Sequence, residues 1–108
     1  MTRQVAEADW KHLRKLLPVV LDRYCAQILN EIARISANEA KSYHQRYLDI
    51  YRIIQSRDKA IAAMFNDPRR SNASMKISSI YSYGLFTEDE MQGFSQEVRS
   101  FAEFLMDG

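Results

Sequence analysis

Between Ser42 and Asp67, apolar and aromatic side chains return every third or fourth residue, at Tyr43, Tyr47, Ile50, Ile54, Ile61 and Met64, with no Pro or Gly in the stretch. That period places them on one face of a helix. Arg57 stands where a further apolar residue is due. The spacing predicts a helix of about 37 Å, long enough to serve as the central element along which shorter segments pack. Two capping boxes compete for its start, Ser36-x-x-Glu39 and Ser42-x-x-Gln45. Ser42 is preferred, because Asn38 then falls just past the end of the preceding helix.

Upstream, residues 1–8 read as a frayed lead-in. Asp9 is the expected N-cap for a segment with Trp10, Leu13, Leu16 and Leu17 on one side and Lys11, Arg14 and Lys15 on the other. Pro18 predicts either a kink or a break followed by a new helix. From Val19 to Ile35 a seam of Leu21, Cys25, Ile28, Ile32 and Ile35 steps by four and three, as in a helix packed lengthwise on a neighbour. The short link that follows predicts an antiparallel helical hairpin.

Downstream, Asp67-Pro68 predicts a new helix with Asp as N-cap and Pro at the first position. Ala73, Ile77, Ile80 and Tyr81 would face inward, and Gly84 would end the helix. Thr87-Glu-Asp-Glu90 is a capping box with an acidic first turn, with Leu85 or Phe86 placed to staple onto Met91 and Gly93 limiting the helix to a turn or two. Ser95 would cap a last helix with Val98, Phe101, Ala102 and Leu105 on one face, widened by Phe104. No segment alternates as a strand does, and Gly (3) and Pro (2) are too scarce for a turn-rich β fold. The expectation is an all-α chain, a single compact helical bundle (residues 1–108) of four main helices plus short extra turns, organised around the long helix.

Composition refines this picture in three places. The 108 residues suit one domain with a core that needs no disulfide or metal. The net charge of +1 gives no electrostatic case for nucleic acid as a global partner. Yet residues 87–108 carry net −5 and residues 1–86 net +6, so an acidic C-terminal segment is expected to dock on a basic body. The single cysteine, Cys25, excludes an intramolecular disulfide and suits a reducing compartment. The first residues lack the apolar stretch of a signal peptide, and no run is long enough to span a membrane, so a cytoplasmic protein is expected. The layout resembles small helical proteins common in bacterial genomes, although no motif carries that resemblance.

Candidate chemistry is sparse. Asp9-x-x-His12 is the one near match to the Glu-x-x-His pairs of di-iron bundles, and it has no second copy. Cys25 falls on the apolar seam and reads as a core residue. Phosphate loops, nucleophile elbows and Cys-x-x-Cys pairs are all missing. A catalytic pocket without a signature would have to gather around residues such as Tyr43, His44 and Arg57. The expectation is therefore a non-enzymatic protein with no cofactor and no metal.

Two binding features stand out. Tyr43, Tyr47 and Tyr51 are spaced by four. They read first as a half-buried core edge and second as an aromatic surface for a partner, with Arg46 placed to lie over a ring. Asp67-Pro-Arg-Arg-Ser71 puts Arg69, Arg70 and Ser71 in the first turn of the expected helix, where two cations oppose the dipole but a helix N-terminus could receive an anion. The functional expectation is a protein–protein interaction module whose partner is another protein or a second copy of the chain. The alternative is a binder of an anionic ligand or nucleic acid through Arg69 and Arg70, supported by Arg57, Lys59 and Lys76.

Overall fold

Leu13, Val20, Tyr24 and Ile28 lie buried along one line of a single helix, α1 (Glu7–Ser36). The computed structural model describes residues 4–107, with side chains to residue 105. α1 runs uninterrupted through Pro18, so of the two expectations the break is absent. Arg14, Lys15, Pro18 and Val19 are all exposed, so the Arg14 carbonyl that Pro18 cannot serve is open to water. The lead-in is also better ordered than expected. Val5 packs in the core at 6% exposure, and the helix opens at Glu7 after Ala6. Residues 1–3 lie outside the described residues.

A tight turn returns the chain into α2 (Tyr43–Phe65), and the two helices pack as the expected antiparallel hairpin. Ser42 is the N-cap, its hydroxyl accepting from Gln45 N at 3.0 Å. Arg46 closes the turn by donating to the carbonyls of Ser36 (2.8 Å) and Lys41 (3.0 Å). The first of these occupies one of the free acceptors at the end of α1.

After α2 the chain departs from the expected restart. Asp67 sits at φ +50°, a left-handed value that Asp tolerates better than most residues, and it caps no helix. Its carbonyl accepts from Asn72 Nδ2 at 3.1 Å. A 3₁₀ turn (Arg70–Asn72) leads into α3 (Ala73–Ser82), which buries Ala73, Ile77 and Ile80 and leaves Tyr81 half-buried. Lys76 runs back from α3 to donate to Ala63 O at 3.1 Å. α2 has no base of its own in its last turn, so Lys76 supplies the cation that this carbonyl end favours.

Gly84, at φ +68°, ends α3 as predicted. Leu85 N bonds Ile80 O and Gly84 N bonds Tyr81 O, the paired bonds of a Schellman motif. Thr87 and Glu90 form the predicted capping box of α4 (Glu88–Gln92). Gly93 follows with an ordinary φ of −73°. Its lack of a side chain matters for space: a Cβ there would stand 2.3 Å from His12 Nε2. Ser95 caps α5 (Gln96–Asp107), its hydroxyl accepting from Val98 N. Val98 and Ala102 are buried, whereas Phe101, Phe104 and Leu105 are exposed, so the inward face is narrower than the spacing implied.

Three polar side chains of α1 hold the C-terminal segment in place. Asp9, expected to cap α1, is instead buried in its first turn and accepts from Ser95 N (2.7 Å) and Ser95 Oγ (2.8 Å). His12 packs edge-on against Phe94, and its Nε2 donates to Glu90 O at 2.8 Å. Arg23 grips Glu90 with both terminal nitrogens, at 2.8 and 3.1 Å, and also donates to Leu85 O. This contact is where the acidic segment meets the basic body. The Arg23 guanidinium, helped by the Thr87 N–H, holds the Glu90 carboxyl below the usual carboxylate range, and burial only partly opposes this.

The all-α class is therefore as expected, but the organising element differs. The central helix is α1, the longest at 30 residues, rather than α2. The radius of gyration is 16.6 Å, against about 13 Å for a compact chain of this length. The excess comes from the hairpin. Among the described residues, every buried one belongs to a base built from Val5, the first three-quarters of α1, the end of α2 and everything after it, while residues 29–63 contain none. Those residues form a two-helix arm that projects from the base.

Candidate interaction surface

The arm has two unlike broad sides. On α2, Arg46, Ile50, Ile53, Arg57, Ala60 and Met64 share one stripe, all of them half-buried or buried. This stripe faces α1, because it carries Arg46 to Ser36 O and Arg57 to Glu31 (3.1 Å). On α1 the matching seam is Leu21, Ile28 and Ile35. In a right-handed helix each residue turns about 100° from the last. For two antiparallel helices, a step of one residue beyond the seam then leads to the same broad side on both.

That side holds Tyr43, Tyr47, Tyr51 and Ile54 from α2 and Leu29 from α1, exposed by 84, 63, 53, 49 and 64%, together with the exposed carboxylates of Asp58 and Asp22. The same step in the other direction leads to the opposite side, with Gln27 and Arg34 from α1 and Gln45, Asp49, Arg52, Ser56 and Lys59 from α2. There Lys41 pairs with Asp49 at 2.9 Å, and Gln45 donates to the same carboxylate. These contacts hold Asp49 below the usual carboxylate range. Tyr83, the C-cap of α3, shares a groove with Gln27 and Arg34 on the polar side, so the base reaches the arm from that side. In the same groove burial pushes the Tyr24 phenol up, and its ring meets Tyr83 edge-on.

The tyrosine series thus lies on the surface instead of at a core edge, correcting the first expectation. The predicted stacking is present, with the Arg46 guanidinium 4.6 Å from the Tyr43 ring centroid. Leu29 escaped the sequence reading because it falls off the a/d seam. The signal that finds it is its place one residue after Ile28. Cys25 is half-buried, less enclosed than its seam position suggested.

Arg69, Arg70 and Ser71 are far from this surface, beyond the opposite end of α2. Because α3 starts only at Ala73, they occupy no α-helix N-terminus. Arg69 pairs with Asp67 at 2.7 Å, and Arg70 Nε donates to Val5 O at 2.8 Å. Of the supporting bases, Arg57 is engaged by Glu31 and Lys76 by Ala63 O. Tyr43 and His44 do not converge with Arg57, which lies about 20 Å further along the helix.

A cavity of about 550 Å³ opens between the lead-in, α3 and α5, walled mainly by Val5, Met75, Val98 and Phe101. Asp9 borders it, but both carboxylate oxygens are engaged by Ser95. A second cavity of about 310 Å³ lies beside Arg99, whose Nε is the one buried side-chain nitrogen or oxygen among the described residues with no hydrogen-bond partner. Glu88 and Glu103 line the same cavity, which disfavours an anion there. Among the described residues, no helix is long and apolar enough to cross a membrane, and no group of three or more His, Cys, Asp or Glu is placed to hold a metal ion. Comparison with known proteins found no matching family, no matching curated protein and no matching solved structure.

Proposed function

We propose that this chain is a non-enzymatic protein–protein interaction module whose arm offers its apolar side to a helical partner surface. The observation that carries the reading is the one-sidedness of the arm. Tyr43, Tyr47, Tyr51, Ile54 and Leu29 gather on one side, interrupted by the acids Asp58 and Asp22, while every exposed base of the two facing flanks, Arg34, Arg52 and Lys59, lies on the other. A largely apolar exposed face of this kind marks an interaction site more often than a free surface. Tyrosine suits the role, since its ring supplies buried area while its hydroxyl tolerates water. The flatness and heptad-like spacing of the face fit a helix or helix pair. No cofactor takes part, and the lone thiol suits the cytoplasm of a bacterial cell.

The test is a photo-reactive phenylalanine analogue placed at Tyr47 and, separately, at Ser56 on the polar side, in the full chain in its own host. A defined cross-linked product from Tyr47 and none from Ser56 is expected. Equal labelling at both positions, or none at Tyr47, sinks the reading.

A further inference from the structure

We infer that the tyrosine side of the arm receives a basic amphipathic helix, with its apolar stripe on the tyrosines and its cationic end on Asp22 and Asp58. This rests on the interaction reading above and names the chemistry of the partner. Distance from the tip turn orders the face. At the helical rise per residue, counted from Ser36 on α1 and Tyr43 on α2, the three tyrosines, Leu29 and Ile54 lie within about 16 Å of the tip. Asp22 and Asp58 follow at about 21 and 22 Å, one on each helix. The face is therefore graded, apolar towards the tip and anionic at the root of the arm.

These two carboxylates are ones the chain leaves unanswered. Along the same hairpin Glu31 has Arg57, and Asp49 has Lys41 and Arg52. Asp22 and Asp58 are exposed, and among the described residues neither carries an ion pair or hydrogen bond. The exposed bases of this stretch, Arg34, Arg52 and Lys59, sit on the opposite side. On this side of α1 the nearest base is Lys15, about 10 Å beyond Asp22 along the helix, a distance at which salt screens exposed charges.

That pattern discriminates between occupants. Nucleic acid or an anionic membrane would bring phosphates onto two carboxylates, and an acidic helix would bring like charge as well. A helix with Lys or Arg at one end meets them with the opposite sign, while the rest of its stripe covers the tyrosines. The valley between two antiparallel helices accepts a third by the ridge-and-groove packing that already joins the pair. About 15 residues of helix reach from the tip to the carboxylates.

The probes are two synthetic amphipathic helices of about 18 residues with the same leucine stripe, one ending in three Lys and the other in three Gln. Each is titrated into the full chain by calorimetry at low salt. The Lys peptide should bind about fivefold more tightly, exposed ion pairs being individually weak, and the preference should vanish in Asp22→Asn/Asp58→Asn. Tyr47→Ser/Tyr51→Ser should weaken both peptides and preserve their ratio. Residues 1–86 carry net +6, so a preference set by the field of the body would run the other way. Equal binding of the two peptides, a preference that survives the Asn variant, or binding of neither overturns the inference. The cross-link from Tyr47 separates the two proposals. A product in the host alongside equal peptide binding, or a product made of two copies of this chain, removes only the basic helix, whereas the absence of any product removes both.

Discussion

Met64 and Ile53 lie on the same stripe of α2, facing α1, yet Met64 is fully buried and Ile53 only half-buried. Met64 belongs to the base, where both α1 and α3 pack against α2. Ile53 belongs to the arm, where α2 has α1 for a neighbour and nothing else. The sequence of α2 does not change character between them. Its apolar residues keep the same three-or-four period on either side of Arg57. Periodicity therefore fixes which side of a helix is apolar, while burial depends on how many neighbours reach that side.

The comparison is broken most forcefully inside the base. Ile77→Ala should cost about 2–5 kcal/mol of unfolding free energy in a denaturant melt, since Ile77 is fully buried in the core. Gly93→Ala should cost about 1–3 kcal/mol, because the new methyl group displaces the His12 ring from Phe94 and Glu90. A melt of Gly93→Ala matching the parent protein would show that the α1–α4 contact is loose.

A pH titration sharpens the contrast. Glu90's folded pKa lies below its unfolded value, near 4.3. Its contribution is therefore complete above that value and is lost as pH falls through the folded one. Stability of the parent should fall with acid over that window, and Glu90→Gln should fall less steeply. Parallel acid limbs for the two proteins would remove Glu90 as the cause.

The smallest effects belong to the arm. Ile54→Ala should change stability by less than about 0.5 kcal/mol, because its side chain is half exposed. Arm amides should exchange with deuterium well before those of α3. Equal protection of arm and base would show that the hairpin is stable without a partner.

Local signals were legible wherever a cap or turn closes within a few residues. Ser42, Thr87 with Glu90, Gly84 and Ser95 all do what their positions imply. The misreadings share a physical cause, which is that the deciding partner is distant in the chain. Asp9 looked like a local cap because its partner, Ser95, is 86 residues away. Pro18 allowed a break as well as a kink, but an exposed helix face leaves water to take the spare carbonyl, and the helix continues. Asp67 and Pro68 read as a helix start, and only the left-handed backbone at Asp67 shows that they make a turn. The tyrosine series was visible as a stripe. Its exposure was not, because that depends on which side of the arm the base reaches.

The three polar anchors of α1 also bear on how the chain is made. Asp9, His12 and Arg23 leave the ribosome early, but their partners lie 62 to 86 residues further on. Until Leu85 to Ser95 have been synthesised, α1 carries a buried-type carboxylate, an imidazole and a guanidinium beside apolar residues with nothing to close over them. The hairpin, whose contacts are local, can form during synthesis. The base cannot, so the nascent chain spends most of its elongation as an arm waiting for its anchor.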